Sequence, residues 1–237
     1  MTTPQNTKAG IWLMIATTLV FAAQDGISRH LGTHYSIYMV VMVRFWFFAL
    51  FVMAMAARSE GGLRAAASSA YPWVQLARGV ILVAEIAVML VAFVKLGLIE
   101  AHAVFTCYPL LVAALSGPIL GEKVGWRRWS AILVGFVGVL IILQPGFAVF
   151  SPWALVPLLS AAMFAVYGLL TRFVARKDNT SVSFFWTGVV GAVAMTPFGL
   201  SHWTWMAPAD WGWMAILCCT AALSHWLLIK AYAVAEA

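Results

Sequence analysis

Runs of about twenty apolar residues, broken only by short polar connections, recur from one end of this chain to the other. No other feature limits its fold so severely, because a helix of roughly 20 residues is what crosses the hydrocarbon core of a bilayer. The runs predict about eight spanning helices, near Gly10–Arg29, Ile37–Ala57, Trp73–Val94, Ala101–Leu120, Trp126–Leu143, Trp153–Phe173, Val182–Leu200 and Trp211–Tyr232. Membrane β-strands would alternate over roughly ten residues, whereas these runs are continuously apolar. Helices that close their own hydrogen bonds are then the way this backbone satisfies itself in lipid, and the expected fold class is an all-α polytopic membrane protein. The first apolar stretch is as long as the others and leads into more of them, so it is expected to stay as a helix rather than leave as a signal peptide.

With 64% apolar and 9% charged residues, each charge is informative. The net charge of +6 invites a nucleic-acid reading, but its distribution describes topology, and no nucleic-acid partner is expected. With a cytoplasmic N-terminus, eleven basic residues fall inside: Lys8, Arg58, Arg64, Arg78, Lys123, Arg127, Arg128, Arg172, Arg176, Lys177 and Lys230. Arg29 and Lys95 fall outside, and Arg44 lies within a helix. The positive-inside rule therefore predicts a multi-pass protein with both termini in the cytoplasm, and the expected location is a bacterial-type inner membrane. Trp126, Trp129, Trp153, Trp203, Trp205, Trp211 and Trp213 gather near predicted helix ends, as an interfacial belt requires. Cys107, Cys218 and Cys219 lie in apolar runs and read as small core residues, without the spacing of a metal site or a disulfide framework. No cofactor is expected.

The chain also resembles itself. "FAAQDGISR" at Phe21–Arg29 matches "FAVYGLLTR" at Phe164–Arg172, and "AFVKLGLIEA" from Ala92 matches "AYAVAEA" from Ala231. The offsets are 143 and 139 residues. The first helix then recurs as the sixth, and an odd number of spans forces the second copy to enter from the opposite side, as in an inverted-topology repeat. The predicted division is a first repeat of five helices over 1–146 and a second over 147–237 that reaches only three. By that logic the closing "LLIKAYAVAEA" stops where a ninth helix would begin, and the sequence is expected to be a partial ten-helix chain whose last two helices are missing or supplied by another chain.

"YPLLVAALSGPILGEKVGWRRWSAILVGFVGVLIILQPG" at Tyr108–Gly146 carries the most specific pattern: a proline in an apolar helix, a Gly-Glu pair, a basic turn and a glycine-spaced helix. With "QDGISRHLG", "VRF" at Val43–Phe45, "ARG" at Ala77–Gly79 and "KAYAVAEA", it resembles the EamA transporters of the drug/metabolite transporter superfamily. The likeness runs over essentially the whole chain. It is greatest to the bacterial branch that holds S-adenosylmethionine uptake carriers, with riboflavin and amino-acid carriers as near neighbours. The resemblance implies two five-helix repeats and transport of a small organic metabolite.

An ionisable side chain inside a span costs at least about 2.5–3.5 kcal/mol on insertion scales, so each needs a reason. Asp25, Arg44, Glu85, His102, His225 and Trp226 are the candidates for contact with substrate or coupling ion. Asp25 and Arg44 are expected at similar depth on adjacent helices, where they either neutralise each other or meet a charged ligand. Glu85, in "LVAEIAVML", is either a protonated acid bonded to a neighbouring helix or one wall of a cavity that binds a cation or carries a proton. The repeat places Ser224-His225-Trp226 opposite Glu85, which suits pairing with and stacking on a polar aromatic or cationic metabolite. His102 begins the fourth helix near an interface, where it is either solvated or in contact with ligand. Pro109 and Pro118 are expected to kink the fourth helix, and Pro157 the sixth. Glu122 with Lys123, Arg127 and Arg128 reads as a loop anchor. Gly135-x-x-Gly138 and Gly188-x-x-Gly191 suit close helix approach within the chain or in a homodimer.

These features favour a secondary carrier working by alternating access. No P-loop is present, and no HExxH or GxGD motif or nucleophile-base set at a shared depth points to an embedded enzyme, so none is expected. A non-transporting or partial membrane protein that needs a partner chain is the other reading.

Overall fold

The computed structural model describes residues 7–121, 125–143, 146 and 151–234, and among these the chain is a succession of helices without strands. They are α1 (Thr7–His34), α2 (Ile37–Ala57), α3 (Gly62–Ala67), α4 (Pro72–Lys95), α5 (Leu98–Phe105), α6 (Tyr108–Leu120), α7 (Trp126–Leu143), α8 (Leu155–Val174), α9 (Thr180–Ser201) and α10 (Pro208–Val234). A 3₁₀ turn, Pro152–Ala154, leads into α8. Among the described residues, seven stretches are long and apolar enough to cross a membrane, with α5 and α6 counted together as Leu98–Leu120. The remaining predicted span falls on α7, whose described apolar stretch is the shorter Trp129–Gly138. Glu122, Lys123, Glu236 and Ala237 lie outside the described residues.

By packing, the chain forms two compact units, one made of residues up to Val80 together with those from Val174 onward, the other of Ile81–Phe173. The division passes through α4 and α8. It follows contacts, whereas the repeat follows sequence.

In the first unit, α2 lies antiparallel against α9 and α1 against α10. The α2/α9 seam is close because α9 supplies glycines where α2 supplies bulk. A Cβ added at Gly191 would overlap the Phe45 ring, one at Gly199 would overlap Met42, and one at Gly188 would come within 2.9 Å of the Val52 side chain. The seam is apolar, with Phe45, Phe48, Val52 and Phe184 all buried. At its N-terminus α9 is capped by Asn179, whose Oδ1 accepts from the Val182 amide at 2.8 Å.

In the second unit, the predicted kink at Pro109 is a two-residue interruption, Thr106 and Cys107, both of which keep right-handed helical angles. Proline has no N–H to give to the carbonyl of Phe105, four residues back, so one helix stops at Phe105 and the next begins at Tyr108. Pro118 lies within α6, and Pro157 sits in the first turn of α8, where a missing N–H costs no helical bond. A Cβ added at Gly135 or Gly138 of α7 would meet no described atom within 4 Å. The same glycine spacing thus marks a helix seam on α9 and no seam within the described chain on α7.

Candidate functional site

Four of the six sequence candidates belong to the first unit. Arg44 on α2 and His225 on α10 are buried, 5% and 3% exposed, and Arg44 lies within electrostatic reach of His225. The His225 Nδ1–H donates to the Ala221 carbonyl at 3.0 Å, which leaves Nε2 as the acceptor of the neutral ring. Phe21 and Phe48 hold that ring from α1 and α2, with centroids at 5.8 and 5.7 Å. One residue earlier, the Ser224 hydroxyl donates to Gln24 Oε1 at 3.3 Å. Asp25, next to Gln24 on α1, is half-buried. Trp226 is also half-buried, and Lys230 Nζ stands 4.4 Å from its ring centroid, so the indole face expected to stack a ligand already carries a cation.

Glu85 and His102 belong to the second unit. Glu85 is 5% exposed and accepts a hydrogen bond from the Ser160 hydroxyl on α8 at 2.6 Å. His102 is not simply solvated. Its Nδ1–H donates to the Leu98 carbonyl at 2.8 Å, and its ring stacks on Phe93 at 5.2 Å with 14° between planes. A group of aromatic rings sits one turn beyond Ser160. Phe164 meets Phe105 at 5.5 Å and Tyr108 at 5.4 Å, Phe105 meets Tyr108 at 5.4 Å, and Tyr167 follows at 6.2 Å from Phe164.

Sequence reasoning missed a polar cluster in the first unit. Arg78, counted there as a topology marker, is fully buried. Its Nε and Nη2 donate to Gln75 Oε1 at 3.0 and 2.7 Å, and Nη2 also donates to the Ser183 carbonyl on α9. Gln75 Nε2 in turn donates to Asp178 Oδ2 at 2.9 Å and to Ser183 Oγ at 3.1 Å. Asp178 also accepts from the Ala70 amide at 2.7 Å and from the Ser69 hydroxyl. Partial burial pushes the Asp178 carboxyl upward, but the Ser69, Gln75 and Ala70 hydrogen bonds and the Arg78 charge outweigh it and hold the group below the usual carboxylate range. The available signal was Gln75 and Arg78 one turn apart at a helix start, with a lone acid in the basic turn "ARKDN".

At the opposite end of the first unit, His30 Nε2 on α1 lies 2.9 Å from Asp210 Oδ1 on α10. The Tyr35 hydroxyl donates to Asp210 Oδ2 at 2.7 Å and accepts from the Ala207 amide at 3.0 Å. Two clefts of about 360 and 410 Å³ open in the first unit at the end that carries α3. Neither is lined by any of the six candidates.

The sequence model of the EamA-like transporter family matches residues 8–144, more than half of the chain. The chain belongs to the EamA-like transporter family. Among relatives of this EamA chain is an S-adenosylmethionine uptake transporter of Rickettsia bellii, 25% identical over 229 residues, covering 96% of this chain and 77% of the relative. The corresponding protein of Rickettsia prowazekii is 23% identical over 228 residues, covering 96% and 76%. A riboflavin transporter of Vibrio cholerae is 33% identical over 147 residues, covering 58% of this chain and 47% of the relative. Family membership and the seven spanning apolar stretches among the described residues together make this a multi-pass membrane protein of a transporter family.

Proposed function

We propose that this EamA chain is a secondary carrier that moves a small organic metabolite across a bacterial plasma membrane by alternating access, with its N-terminus in the cytoplasm. The observation that carries the reading is the burial of ionisable groups inside apolar spans of a transporter-family chain: Arg44 and His225 in one unit, Glu85 in the other. Such groups persist in spans where they face partners or a substrate path. Asp25, Arg44, Glu85, His102, His225 and Trp226 are the proposed contacts for substrate or coupling ion. The two sequence repeats, inverted in the membrane, supply the two states that alternating access needs. S-adenosylmethionine and riboflavin are the substrates to try first, since relatives carry those names, and amino acids follow from the family resemblance.

The test is uptake into sealed vesicles holding the chain, with and without a pH gradient. Saturable flux of at least one of these metabolites, reduced in Glu85→Gln and Asp25→Asn while membrane insertion is kept, is the expected result. Absence of flux for the whole set under both conditions would sink the carrier reading.

A further inference from the structure

The span of α2 is apolar up to Ala57, and Arg58 is the first charged residue past its end. A spanning helix ends where hydrocarbon gives way to headgroups, so Arg58 stands at the depth of the lipid phosphates. Phe51, Ala54, Met55 and Arg58 fall at i, i+3, i+4 and i+7 and share one face. With Ser59 they line the cleft of about 360 Å³. The small Ala54 leaves a notch between Phe51 and Arg58, which lie about 10 Å apart along the helix axis. One wall of the notch is braced from behind, because the Phe51 ring meets the buried Phe184 ring of α9 at 6.3 Å with 87° between planes.

The cation above that notch is available. The last carbonyls of α2 are already taken: Met55 accepts from the Arg58 amide at 3.2 Å, and Ala56 accepts from the Ser59 amide at 3.1 Å and its hydroxyl at 2.7 Å. The helix end therefore closes without the guanidinium. Arg58 is exposed, and among the described residues no carboxylate pairs with it.

Charge decides what fits. At this end of the first unit Arg58, Arg64, Arg176 and Lys177 are exposed, and Glu60 is the exposed acid among the described residues. An apolar wall two turns deep beneath a cation has the form of a phospholipid: an acyl chain along Phe51, Ala54 and Met55, and a phosphate on the guanidinium, whose planar donors match phosphate oxygens. The adjoining cleft of about 410 Å³ shares Met55 and Ser59 and adds Glu60, Asn179 and Ser181. Those side chains hydrogen-bond hydroxyls, and the Glu60 carboxylate repels a second negative charge. A phosphoglycerol headgroup, with a single negative charge and hydroxyls beyond it, meets both conditions. An ethanolamine headgroup would bring an ammonium among these cations.

We infer that the Phe51–Ser59 face of α2 is a binding site for an anionic phospholipid with a hydroxylated headgroup, Arg58 holding the phosphate and the Ala54 notch holding the start of an acyl chain. The site shares no residue with the six substrate candidates and does not depend on what the carrier moves.

The experiment is native mass spectrometry of the purified full chain in detergent, titrated with phosphatidylglycerol, phosphatidylethanolamine or phosphatidylcholine of identical acyl chains. Wild type is expected to hold its first phosphatidylglycerol about fivefold or more tightly than either zwitterionic lipid. Arg58→Gln should bring that ratio close to one, and Arg58→Lys, which keeps the charge, should recover part of it. Arg64→Gln removes an exposed cation that lines neither cleft and should keep the ratio. Ala54→Trp fills the notch and should weaken all three lipids. Glycerol 3-phosphate at the lipid's concentration should leave bound phosphatidylglycerol in place.

Equal retention of the three lipids by wild type, or tighter binding of phosphatidylethanolamine, overturns the inference. So does a ratio that Arg58→Gln leaves unchanged, or undiminished binding in Ala54→Trp. An equal loss in Arg64→Gln overturns it by making the preference a property of the whole basic surface, and displacement by glycerol 3-phosphate does so by making the occupant a soluble phosphate.

Discussion

The two ends of the α1, α2, α9 and α10 unit are both tied by an aspartate, and they are tied in opposite ways. At the end carrying α3, Asp178 is 8% exposed and sits under a fully buried Arg78, with Gln75 and Ser183 shared between them. At the other end, Asp210 meets His30 and Tyr35 with side-chain exposures of 18% for the aspartate and 44% for the histidine. Both clusters link chain segments far apart in sequence. Their energetic weight differs because water competes for the second and hardly for the first: exposed ion pairs contribute little, whereas a buried charge stripped of its partners is costly. One end therefore reads as a fixed hinge of the unit, and the other as a tie that can open.

The comparison breaks most visibly at Arg78. Arg78→Ala removes the donors to Gln75 and to the Ser183 carbonyl and takes away the charge that faces Asp178, a loss of about 3–5 kcal/mol for a buried pair. The expected outcome is a large drop in the thermal unfolding midpoint in detergent, with reduced yield of monodisperse protein. Asp178→Asn should follow in the same direction by a smaller amount, because an amide oxygen can still accept from Ala70. If both variants unfold at the wild-type temperature, this end is no more fixed than the other.

Acid sharpens the same contrast. A carboxyl held below its ordinary value of about 3.9 contributes stability that is complete above that pH and is lost as pH falls through the lower folded value. The gap in unfolding midpoint between wild type and Asp178→Asn should therefore stay constant from neutral pH down to about pH 5 and close only below about pH 4. A gap that closes near neutrality would mean that the carboxyl is not held in its charged form by these partners.

How far the sequence foretold these sites follows from what each residue type reveals when isolated. The all-helical fold was legible because lipid leaves the backbone no other economy, and the break at α5–α6 was legible as a kink because Pro109 has no N–H. Arg44, Glu85 and His225 were found because a charge in an apolar run stands out. Arg78 was not, because an arginine near a predicted helix end also marks a cytoplasmic loop, and only the fold shows α9 and the Asp178 turn closing over it. Gln75, Ser160 and Ser183 carry no charge, so their part in the two buried networks appears only as hydrogen bonds. The glycines make the same point: Gly188-x-x-Gly191 and Gly135-x-x-Gly138 are spelled alike, yet Phe45 and Val52 press on the first pair and nothing described presses on the second.

That glycine contrast tests whether the hinge end is special or whether α9 is sensitive along its whole length. Gly191→Leu at mid-seam would drive a side chain into Phe45, an overpacking cost of about 1–3 kcal/mol. It should lower the unfolding midpoint by less than Arg78→Ala does. Gly135→Leu on α7 is the matched control and should leave the midpoint almost unchanged. Equal losses at Gly191 and Arg78 would show that α9 responds as one rigid body, with no ranking from end to end.

The smallest expected effect belongs to Asp210, and it is the one that bears on function. Asp210→Asn removes the acceptor charge that His30 and Tyr35 share, yet water already reaches the pair, so the unfolding midpoint should move less than in Arg78→Ala, Asp178→Asn or Gly191→Leu. Tyr35→Phe deletes two hydrogen bonds from the same tie, one to Asp210 and one from the Ala207 amide, and leaves every charge in place. If this end opens during transport, both variants should alter vesicle uptake rates in a common direction while the midpoint barely moves. Loss of stability comparable to Arg78→Ala would make the two ends equivalent. An unchanged midpoint with unchanged uptake would leave the tie a surface contact, because a pair that costs nothing to break and changes no rate is neither hinge nor gate.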